Sequence, residues 1–350
     1  MKQGKTLQEF ALEISRQNEA KQDFLVDTRQ LIMQVRNEQP PTLEFSDRVF
    51  DTNEIIHDQI GSKLGIPARY YDKMRVEQPK LLAENVNIWF RATPERRMIR
   101  TMDGTARAYL SDRYRRIDHH DIVQSVLPMI VEMPGAEIKS CEITERRMYI
   151  KVVNPRIQDE VAKGDIVQSG LVISNSETGF GAVSVMPLIY RLVCSNGMIA
   201  VDNGTRKFHV GRTNEADDNY EVFRSETIKA DDHAFKLKLQ DTVRAVVDIA
   251  RFKKIVGKMR DATEAKISGM EIPAVVQMAN KHCGLTEDEG KNVLNHLIRD
   301  GNLNLFGLSS AITRTAQDVK SYDRATELEA TGWDILNVGE KTWREWNKVA

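Results

Sequence analysis

The apolar positions of the chain follow a helical period near both ends and an alternating period in the middle. Phe10 and Ile14 lie four residues apart behind Thr6 and Glu9, a pair that matches a helix capping box and predicts a first helix. In the middle, short runs rich in β-branched and aromatic residues alternate with turn residues, as strands do. The pattern predicts three segments: an N-terminal helical segment (1–84), an antiparallel β-rich core (85–210) and a C-terminal helical region that packs on the core (211–350).

The middle segment has the pattern of a series of hairpins. Asp103-Gly104 is a strong signal for a two-residue hairpin turn, here between strands predicted at 97–102 and 105–110. Further strands are predicted at 136–143, 146–153, 166–174 and 182–193. Because successive hairpins favour antiparallel pairing over a parallel βαβ arrangement, we expect an antiparallel curved sheet.

A long helix is predicted to follow the sheet. Its apolar face comprises positions at helical spacing, namely Phe235, Leu239, Val243, Val246, Ala250 and Ile255. Such a helix has about 25 residues and a length of about 40 Å. The fold class expected from the whole chain is α+β: an antiparallel curved β-sheet of hairpins packed with a long helix and flanked by N- and C-terminal helical segments.

Composition narrows the possible functions without naming one. The 350 residues include 50 basic and 51 acidic side chains, a formal net charge of −1, so any nucleic acid must be held by a local basic patch. The three cysteines lie far apart, which predicts no disulfide framework or structural zinc site and favours a cytoplasmic location. No apolar run is long enough to cross a bilayer, so no membrane partner is expected.

The signatures of familiar enzymes are incomplete in this sequence. Gly179-Phe180-Gly181 lacks the third glycine and the following helix of a dinucleotide-binding fingerprint, so it predicts a turn at the entry to a strand. We therefore expect no cofactor and assign no catalytic residue. His119-His120-Asp121, with Asp231 and Asp232, leaves open a metal-dependent nuclease or phosphohydrolase. The same residues fit the capping of helix N-termini.

Two arginines on the predicted hairpin are the most informative feature. With Asp103-Gly104 as a two-residue turn, an unbroken register places Arg100 directly opposite Arg107, and Tyr109 lies on the same face. Like charges opposite each other destabilise a sheet unless something anionic lies between them. That anion is either the phosphate backbone of a nucleic acid or a carboxylate of the same chain, namely that of Asp112 or Asp118 or one from another segment.

Other basic and aromatic residues extend the first alternative to a nucleic-acid-binding surface. Arginines would contact phosphates, and tyrosines would stack on bases. Between residues 236 and 260 there are eight basic and two acidic residues, which fit an extension of the groove, a self-assembly surface or a solvated helix face. The candidate nucleic-acid-binding residues are Arg97, Arg100, Arg107, Tyr109, Arg113, Tyr114, Arg115, Arg116, Lys253, Lys254 and Lys258.

Several strings resemble a family of phage- and plasmid-like proteins that carry a domain of unknown function. They are Leu-Gly-Ile-Pro at 64–67, Arg-Ala-Tyr-Leu-Ser-Asp-Arg-Tyr at 107–114, Tyr-Arg-Leu-Val-Cys-Ser-Asn-Gly-Met at 190–198 and Tyr-Asp-Arg-Ala-Thr-Glu-Leu-Glu at 322–329. The resemblance spans nearly the whole chain. It implies an origin in bacteriophages, prophages or conjugative elements, and it transfers no catalytic residue to this sequence.

The expected architecture is also similar to that of phage single-strand annealing proteins, which bind single-stranded DNA in rings or filaments and pair complementary strands without hydrolysing nucleotide. This similarity implies single-stranded DNA and further copies of the chain, as a homo-oligomer, as partners. The leading hypothesis is a mobile-element DNA-binding protein of the annealing or recombination-mediator type. The alternatives are the nuclease and a non-enzymatic protein that inhibits host defence or belongs to the virion.

Overall fold

A computed structural model describes residues 1–36, 39–114, 116–181, 183–201, 225–267 and 272–347, with only the backbone described at 225–229, 231 and 232. Over these residues the chain forms twelve α-helices and two β-sheets, which confirms the α+β class. None of the helices described is long and apolar enough to cross a membrane.

The first sheet has six strands. They are β1 (Lys21–Asp27), β2 (Ile32–Gln34), β3 (Thr42–Phe45), β4 (Arg48–Thr52), β5 (Arg96–Met102) and β6 (Thr105–Ser111), in the spatial order β1-β5-β6-β4-β3-β2. All neighbours are antiparallel except β4 and β6. Three helices share a core with this sheet, α2 (Glu54–Lys63), α3 (Ala68–Glu77) and α4 (Pro79–Ala92).

The expectation of a purely helical N-terminal segment was wrong. The first helix, α1 (Leu7–Ala20), forms as predicted, with Thr6 and Glu9 in a complete capping box. However, β1 to β4 also lie before residue 84. Strand β1 begins directly after α1 with no turn residue to mark the change, and β2, β3 and β4 have only three, four and five residues. Such short strands show too few positions for an alternating pattern to be visible.

The second sheet has five strands, all antiparallel, and curls into a half-barrel. It follows α5 (His119–Glu132) and comprises β7 (Glu137–Ile143), β8 (Met148–Ala162), β9 (Asp165–Asn175), β10 (Ser184–Arg191) and β11 (Asn196–Ile199), in the order β11-β10-β9-β8-β7. This sheet confirms the predicted curved antiparallel sheet. One of its faces packs on α1, α5 and a later helix, α6 (Ser225–Val246).

The predicted long helix is two helices. Helix α6 ends at Val246, and α7 (Ile249–Glu264) begins after Asp248, whose carboxylate accepts a hydrogen bond from the amide of Arg251 at 2.8 Å. Asp248 is a favourable N-cap residue, so the chain restarts a helix there although the apolar spacing continues. The apolar positions of α6 pack on the half-barrel, whereas Ile255 of α7 belongs to a separate C-terminal core.

The C-terminal core is formed by helices and by the ends of the half-barrel strands. Its helices are α7, α8 (Ile272–Cys283), α9 (Glu287–Asp300), α10 (Leu305–Thr315), α11 (Tyr322–Leu336) and α12 (Glu340–Trp346). Helix α11 lies on the face of the half-barrel opposite α5 and α6. A fully buried ion pair, Lys151 with Glu329 at 2.6 Å, joins α11 to the first part of β8.

Candidate functional site

The hairpin between β5 and β6 forms at Asp103-Gly104, where both residues have positive φ values of 52° and 77°. The predicted register was wrong, because a β-bulge interrupts the ladder between Arg100 and Thr101. Arg100 pairs with Ala108, and Thr101 pairs with Ala106, which leaves Arg107 as the extra residue of β6. The two arginines are therefore not cross-strand partners.

Arg100 and Arg107 are both buried, so the expectation of an open arginine surface was also wrong. Arg100 has no exposed side-chain surface and forms ion pairs with Asp23 at 2.8 Å and Asp118 at 2.6 Å. Arg107 forms an ion pair with Glu177 at 2.5 Å. The alternative that carboxylates of the same chain neutralise the pair is confirmed, and a nucleic acid cannot reach either guanidinium in this arrangement.

The other candidates on the first sheet are also engaged inside the protein. Arg97 is buried, forms an ion pair with Glu95 at 2.7 Å and lies over the ring of Tyr109 at 5.3 Å. Tyr109 is itself buried and stacks on Phe90 of α4. The hydroxyl of Tyr114 donates to a backbone carbonyl of the loop after β9 at 3.0 Å. Tyr109, with Phe90 stacked on it and Arg97 over its ring, is therefore not available to stack on a base.

The remaining basic candidates are spread over separate surfaces. Arg113 and Arg116 are exposed after β6, and Arg115 lies outside the described residues. On α7, Lys253 and Lys254 are exposed. The ammonium group of Lys258 donates to the side chain of Asn337 at 2.8 Å and lies over the ring of Trp333 at 5.0 Å. Helix α7 packs against β8 and α10, so the lysines do not join the hairpin candidates in one groove.

The proposed metal ligands do not converge. His119 is buried, and its Nδ1 accepts a hydrogen bond from the side-chain amide (Nδ2) of Asn175 at 3.0 Å. Burial lowers the pKa of His119 to about 4. His120 contacts Gln124 at 3.1 Å instead. Within the described part of the chain there is no group of three His, Cys, Asp or Glu side chains that could hold a metal ion, and the side chains of Asp231 and Asp232 lie outside that part.

A second histidine, His57, lies beside a cleft of about 580 Å³, but both of its ring nitrogens form hydrogen bonds within the protein. The hydroxyl of Thr52 donates to the carbonyl of Pro41, so it accepts from Nε2 of His57 at 2.9 Å. Nδ1 of the same ring then accepts from the hydroxyl of Tyr71 at 2.9 Å. Burial lowers the pKa of His57 to about 4. Both ring nitrogens of His57 are thus engaged in hydrogen bonds with described residues, so this histidine is not available as a general base for a nucleophile.

The loop after β9, residues 176–181, is held near the arginines by hydrogen bonds from side chains, and we call it the clamped loop. Three successive carbonyl oxygens, at residues 176–178, accept hydrogen bonds from side chains of the N-terminal part of the chain. The donors are Tyr114 at 3.0 Å, Arg100 at 3.1 Å and Gln59 at 2.7 Å. Loops usually satisfy such carbonyls with water; here the protein satisfies them itself.

The carboxylate of Glu177 makes two of the contacts that hold the clamped loop. One carboxylate oxygen accepts from Arg107, and the other accepts from the backbone amide of His119 at 2.7 Å, so Glu177 caps the N-terminus of α5 from another part of the chain. Burial alone would raise the pKa of Glu177, but the positive charges around it, with the amide hydrogen bond, lower the pKa to about 2. Glu177 is therefore a buried carboxylate.

The clamped loop forms one edge of a cleft of about 540 Å³ between the half-barrel and α11. The floor includes Tyr149, Ser174 and Met186, and the opposite wall includes Asp323 and Glu327. This volume lies in the range of small-ligand sites, and the lining combines apolar surface with a few polar groups, as such sites do. We call this feature the sheet–helix cleft.

The edge of the sheet–helix cleft carries two adjacent arginines in the turn between β7 and β8. The guanidinium of Arg146 lies over the ring of Phe180 at 4.8 Å, and the guanidinium of Arg147 donates to the carbonyl of Phe180. Among the described residues neither forms an ion pair with a carboxylate. Two positive charges beside an aromatic ring are thus left without a counter-charge from the described protein.

The acidic groups of the sheet–helix cleft are already engaged. Oδ1 of Asp323 accepts hydrogen bonds from the hydroxyls of Tyr149 at 2.8 Å and Thr144 at 3.1 Å, while burial and this carboxylate raise the pKa of Tyr149. Glu327 forms an ion pair with Arg324 at 2.9 Å. The site is therefore polarised, with unpaired cations at the edge and a hydrogen-bond acceptor on the wall.

Sequence analysis did not identify these residues as a site. Gly179-Phe180-Gly181 does form a turn before β10, with positive φ values of 88° and 127° at its two glycines. The available signal was the pair Arg146-Arg147, which was predicted at the start of the strand 146–153 and lies in the turn before β8 in the structure. The pair becomes informative only when the loop before β10 is placed beside it.

The amino-acid sequence of this α+β protein matches the model of a known family. Residues 108–341 match the family model described as a domain of unknown function (DUF932), and the chain therefore belongs to this family. The match includes the clamped loop and the sheet–helix cleft, whereas Gln59, Arg100 and Arg107 precede it. No curated protein and no solved structure matches the chain.

Proposed function

We propose that this protein binds nucleic acid and holds a single-stranded segment with one nucleotide in the sheet–helix cleft. The observation that carries the proposal is the arrangement of Arg146, Arg147 and Phe180, in which two guanidinium groups without a carboxylate partner lie beside an aromatic ring. Arginine binds phosphate through several parallel hydrogen bonds, and an aromatic ring stacks on any base.

A nucleotide unit matches the polarity of the whole cleft. Its phosphate carries the negative charge that Arg146 and Arg147 lack, and its base offers a flat face to Phe180. The amino and hydroxyl groups of a nucleotide are hydrogen-bond donors, and the carboxylate of Asp323 is an acceptor on the facing wall. An inorganic anion would contact the arginines alone and would use neither the aromatic ring nor the acceptor on the facing wall.

A single strand fits this cleft better than a duplex. The bases of a duplex are stacked and paired, so only an unpaired base can turn into a pocket without loss of pairing. A volume of about 540 Å³ suits a small ligand or one nucleotide rather than a double helix. These points favour a single strand as the partner, and the similarity to phage single-strand annealing proteins is the reason for proposing DNA.

The resemblance to phage- and plasmid-like proteins supplies the proposed biological setting. In that setting, a single-strand-binding protein of a mobile element would act in the host cytoplasm in annealing or as a recombination mediator, as a homo-oligomer and without nucleotide hydrolysis. The sequence has no complete phosphate-binding loop of the kind that nucleotide hydrolysis uses, which favours this hypothesis.

Fluorescence anisotropy with a labelled 30-nucleotide single strand tests the proposal. We expect binding at low salt that weakens steeply as salt rises, because phosphate contacts release condensed counterions. The matched duplex should bind more weakly. Undetectable binding at low salt, or binding that does not depend on salt, contradicts the proposal.

Paired variants test the location of the site. The double variant Arg146→Gln/Arg147→Gln removes both unpaired charges, and we expect it to weaken binding at least about tenfold. The matched control is Lys253→Gln/Lys254→Gln, which removes two exposed charges from α7, away from the cleft. If the lysine variant weakens binding and the arginine variant does not, the sheet–helix cleft is not the binding site.

A further inference from the structure

We infer, on the basis of the proposed function, that Arg100, Arg107 and Tyr114 are positioning residues for the sheet–helix cleft. They do not contact the ligand. They act through the clamped loop, and through it they fix Phe180 and Arg147 at the edge of the cleft. The N-terminal sheet therefore determines the geometry of a binding site that lies on the other sheet.

The first step of the argument is the direct hold on the loop. Tyr114 and Arg100 donate to the carbonyl oxygens of Ser176 and Glu177, and Arg107 holds the Glu177 carboxylate. Arg100 is in turn fixed by Asp23 of β1 and by Asp118 before α5. The loop is thus fastened to the first sheet by both its backbone and a side chain.

The second step connects the held residues to the cleft. The hydroxyl of Ser176 accepts hydrogen bonds from the amides of Thr178 at 3.3 Å and Phe180 at 3.0 Å. The hydroxyl of Thr178 donates to the carbonyl of Glu145 at 3.1 Å, next to the two cleft arginines. Together with the bond from Arg147 to the Phe180 carbonyl, these contacts join the loop and the arginine turn into one unit.

The third step concerns the kind of interaction that the protein uses. Buried ion pairs contribute little net stability compared with well-packed apolar side chains of similar size, because both charges lose their hydration. A network of this kind is therefore poorly suited to stabilising the fold alone. Its hydrogen bonds are directional, so it specifies one arrangement of the loop, which is what a preorganised binding site requires.

Amide hydrogen exchange tests the positioning role without any ligand. The variant Arg107→Met/Glu177→Gln replaces the charged pair by neutral side chains of similar size. We expect exchange at the amides of Thr178 and Phe180 to accelerate at least about tenfold, because local opening of the loop becomes easier. Unchanged exchange at these two amides overturns the inference.

The clamped loop connects β9 and β10, and a buried ion pair at the opposite end of these two strands serves as the matched control. Arg191 and Asp165 form an ion pair at 2.6 Å between the end of β10 and the start of β9, far along the strands from the clamped loop. The variant Arg191→Met/Asp165→Asn should leave exchange in the clamped loop unchanged. If it accelerates that exchange equally, the effect is a general loss of stability and the inference is wrong.

A double-mutant cycle with the labelled single strand tests the connection to the ligand. Phe180→Ala should weaken binding about tenfold in the wild-type background but only about twofold in Arg107→Met/Glu177→Gln, because the ring is no longer held in place. Equal losses in both backgrounds contradict the inference. If the wild-type protein does not bind the strand, the proposed function fails, and hydrogen exchange still decides whether the network positions the loop.

A milder variant covers the case in which the double variant does not fold. Tyr114→Phe removes one hydroxyl and with it the hydrogen bond to the Ser176 carbonyl. We expect a smaller acceleration of exchange at Thr178 and Phe180, about threefold, with little change in the melting temperature. The same exchange rates as in the wild-type protein would show that this contact does not position the loop.

Discussion

The guanidinium of Arg107 and the carboxylate of Glu177 lie 2.5 Å apart, and both side chains are almost entirely buried. The second oxygen of Glu177 accepts a hydrogen bond from the amide of His119, so the same carboxylate neutralises a bulge residue of β6 and caps α5. A charge in this position joins the clamped loop to two elements, β6 and α5, that lie about 60–70 residues earlier in the chain. Removal of either partner leaves the other buried without its counter-charge.

Arg107→Met should lower the free energy of unfolding by about 3–5 kcal/mol, the usual cost of removing one partner of a buried ion pair. Arg107→Met/Glu177→Gln should recover most of this loss, because no uncompensated charge remains and the glutamine oxygen can still accept from His119. Urea denaturation of both variants measures the difference. A double variant no more stable than Arg107→Met would show that the unpaired carboxylate is not the cause of the loss.

Acid should destabilise the protein through His119. Burial lowers its folded-state pKa to about 4, against an ordinary value of 6.5. Between these values the unfolded chain binds a proton that the folded chain does not, so stability falls as the pH drops from about 6.5 to about 4. The full contribution is about 3 kcal/mol. The hydrogen bond from the Asn175 side chain to Nδ1 acts in the same direction as burial, because a protonated Nδ1 can no longer accept it.

The variant His119→Gln isolates this contribution. Its free energy of unfolding should depend less on pH than that of the wild-type protein, by about 1 kcal/mol per pH unit near pH 5. Urea denaturation at pH 7, 6 and 5 measures both slopes. Since Glu177 has a lowered pKa and titrates only in stronger acid, it does not obscure the comparison above pH 5. Identical slopes would contradict the assigned burial of His119.

Gly179→Ala should both destabilise the protein and weaken binding of the single strand. Gly179 has a φ of 88°, and a Cβ there would lie 2.8 Å from a methyl group of Leu110. Gly164 has a φ of 81° with no atom near the position of a Cβ, so Gly164→Ala carries the backbone strain alone, about 1–2 kcal/mol. Urea denaturation and anisotropy should show a larger loss of stability for Gly179→Ala and loss of affinity in that variant only.

Local patterns in the sequence were sufficient to predict the hairpins and the fold class. The Asp103-Gly104 turn, four of the five strands of the half-barrel and the capping box before α1 form where the sequence predicts them, whereas β11 was not predicted. Each depends on residues close together in the chain. The break before α7 was missed because Asp248 acts as a cap within an uninterrupted apolar pattern, and local spacing does not reveal which of the two signals prevails.

The candidate site could not be predicted in the same way, because its parts meet only in the folded protein. Arg107 is separated by seventy residues from Glu177, its counter-charge, and a single bulge overturned the register on which the arginine pairing rested. The sequence contained the correct alternative, neutralisation by a carboxylate such as that of Asp118, but no pattern selected it. The Arg146-Arg147 turn acquires a meaning only beside Phe180, which follows the next hairpin.

The salt dependence of binding should identify which cations contact the strand. For single strands, each lost phosphate contact reduces the slope of log affinity against log salt by about 0.7. We expect Arg146→Gln and Arg147→Gln to reduce the slope by about this amount each. In the described structure no carboxylate forms an ion pair with either guanidinium, so none competes with the phosphate. Lys253→Gln should leave the slope unchanged, since Lys253 lies outside the sheet–helix cleft. Anisotropy titrations at four salt concentrations measure these slopes, and a slope that changes only in the lysine variant would assign the phosphate contacts to α7.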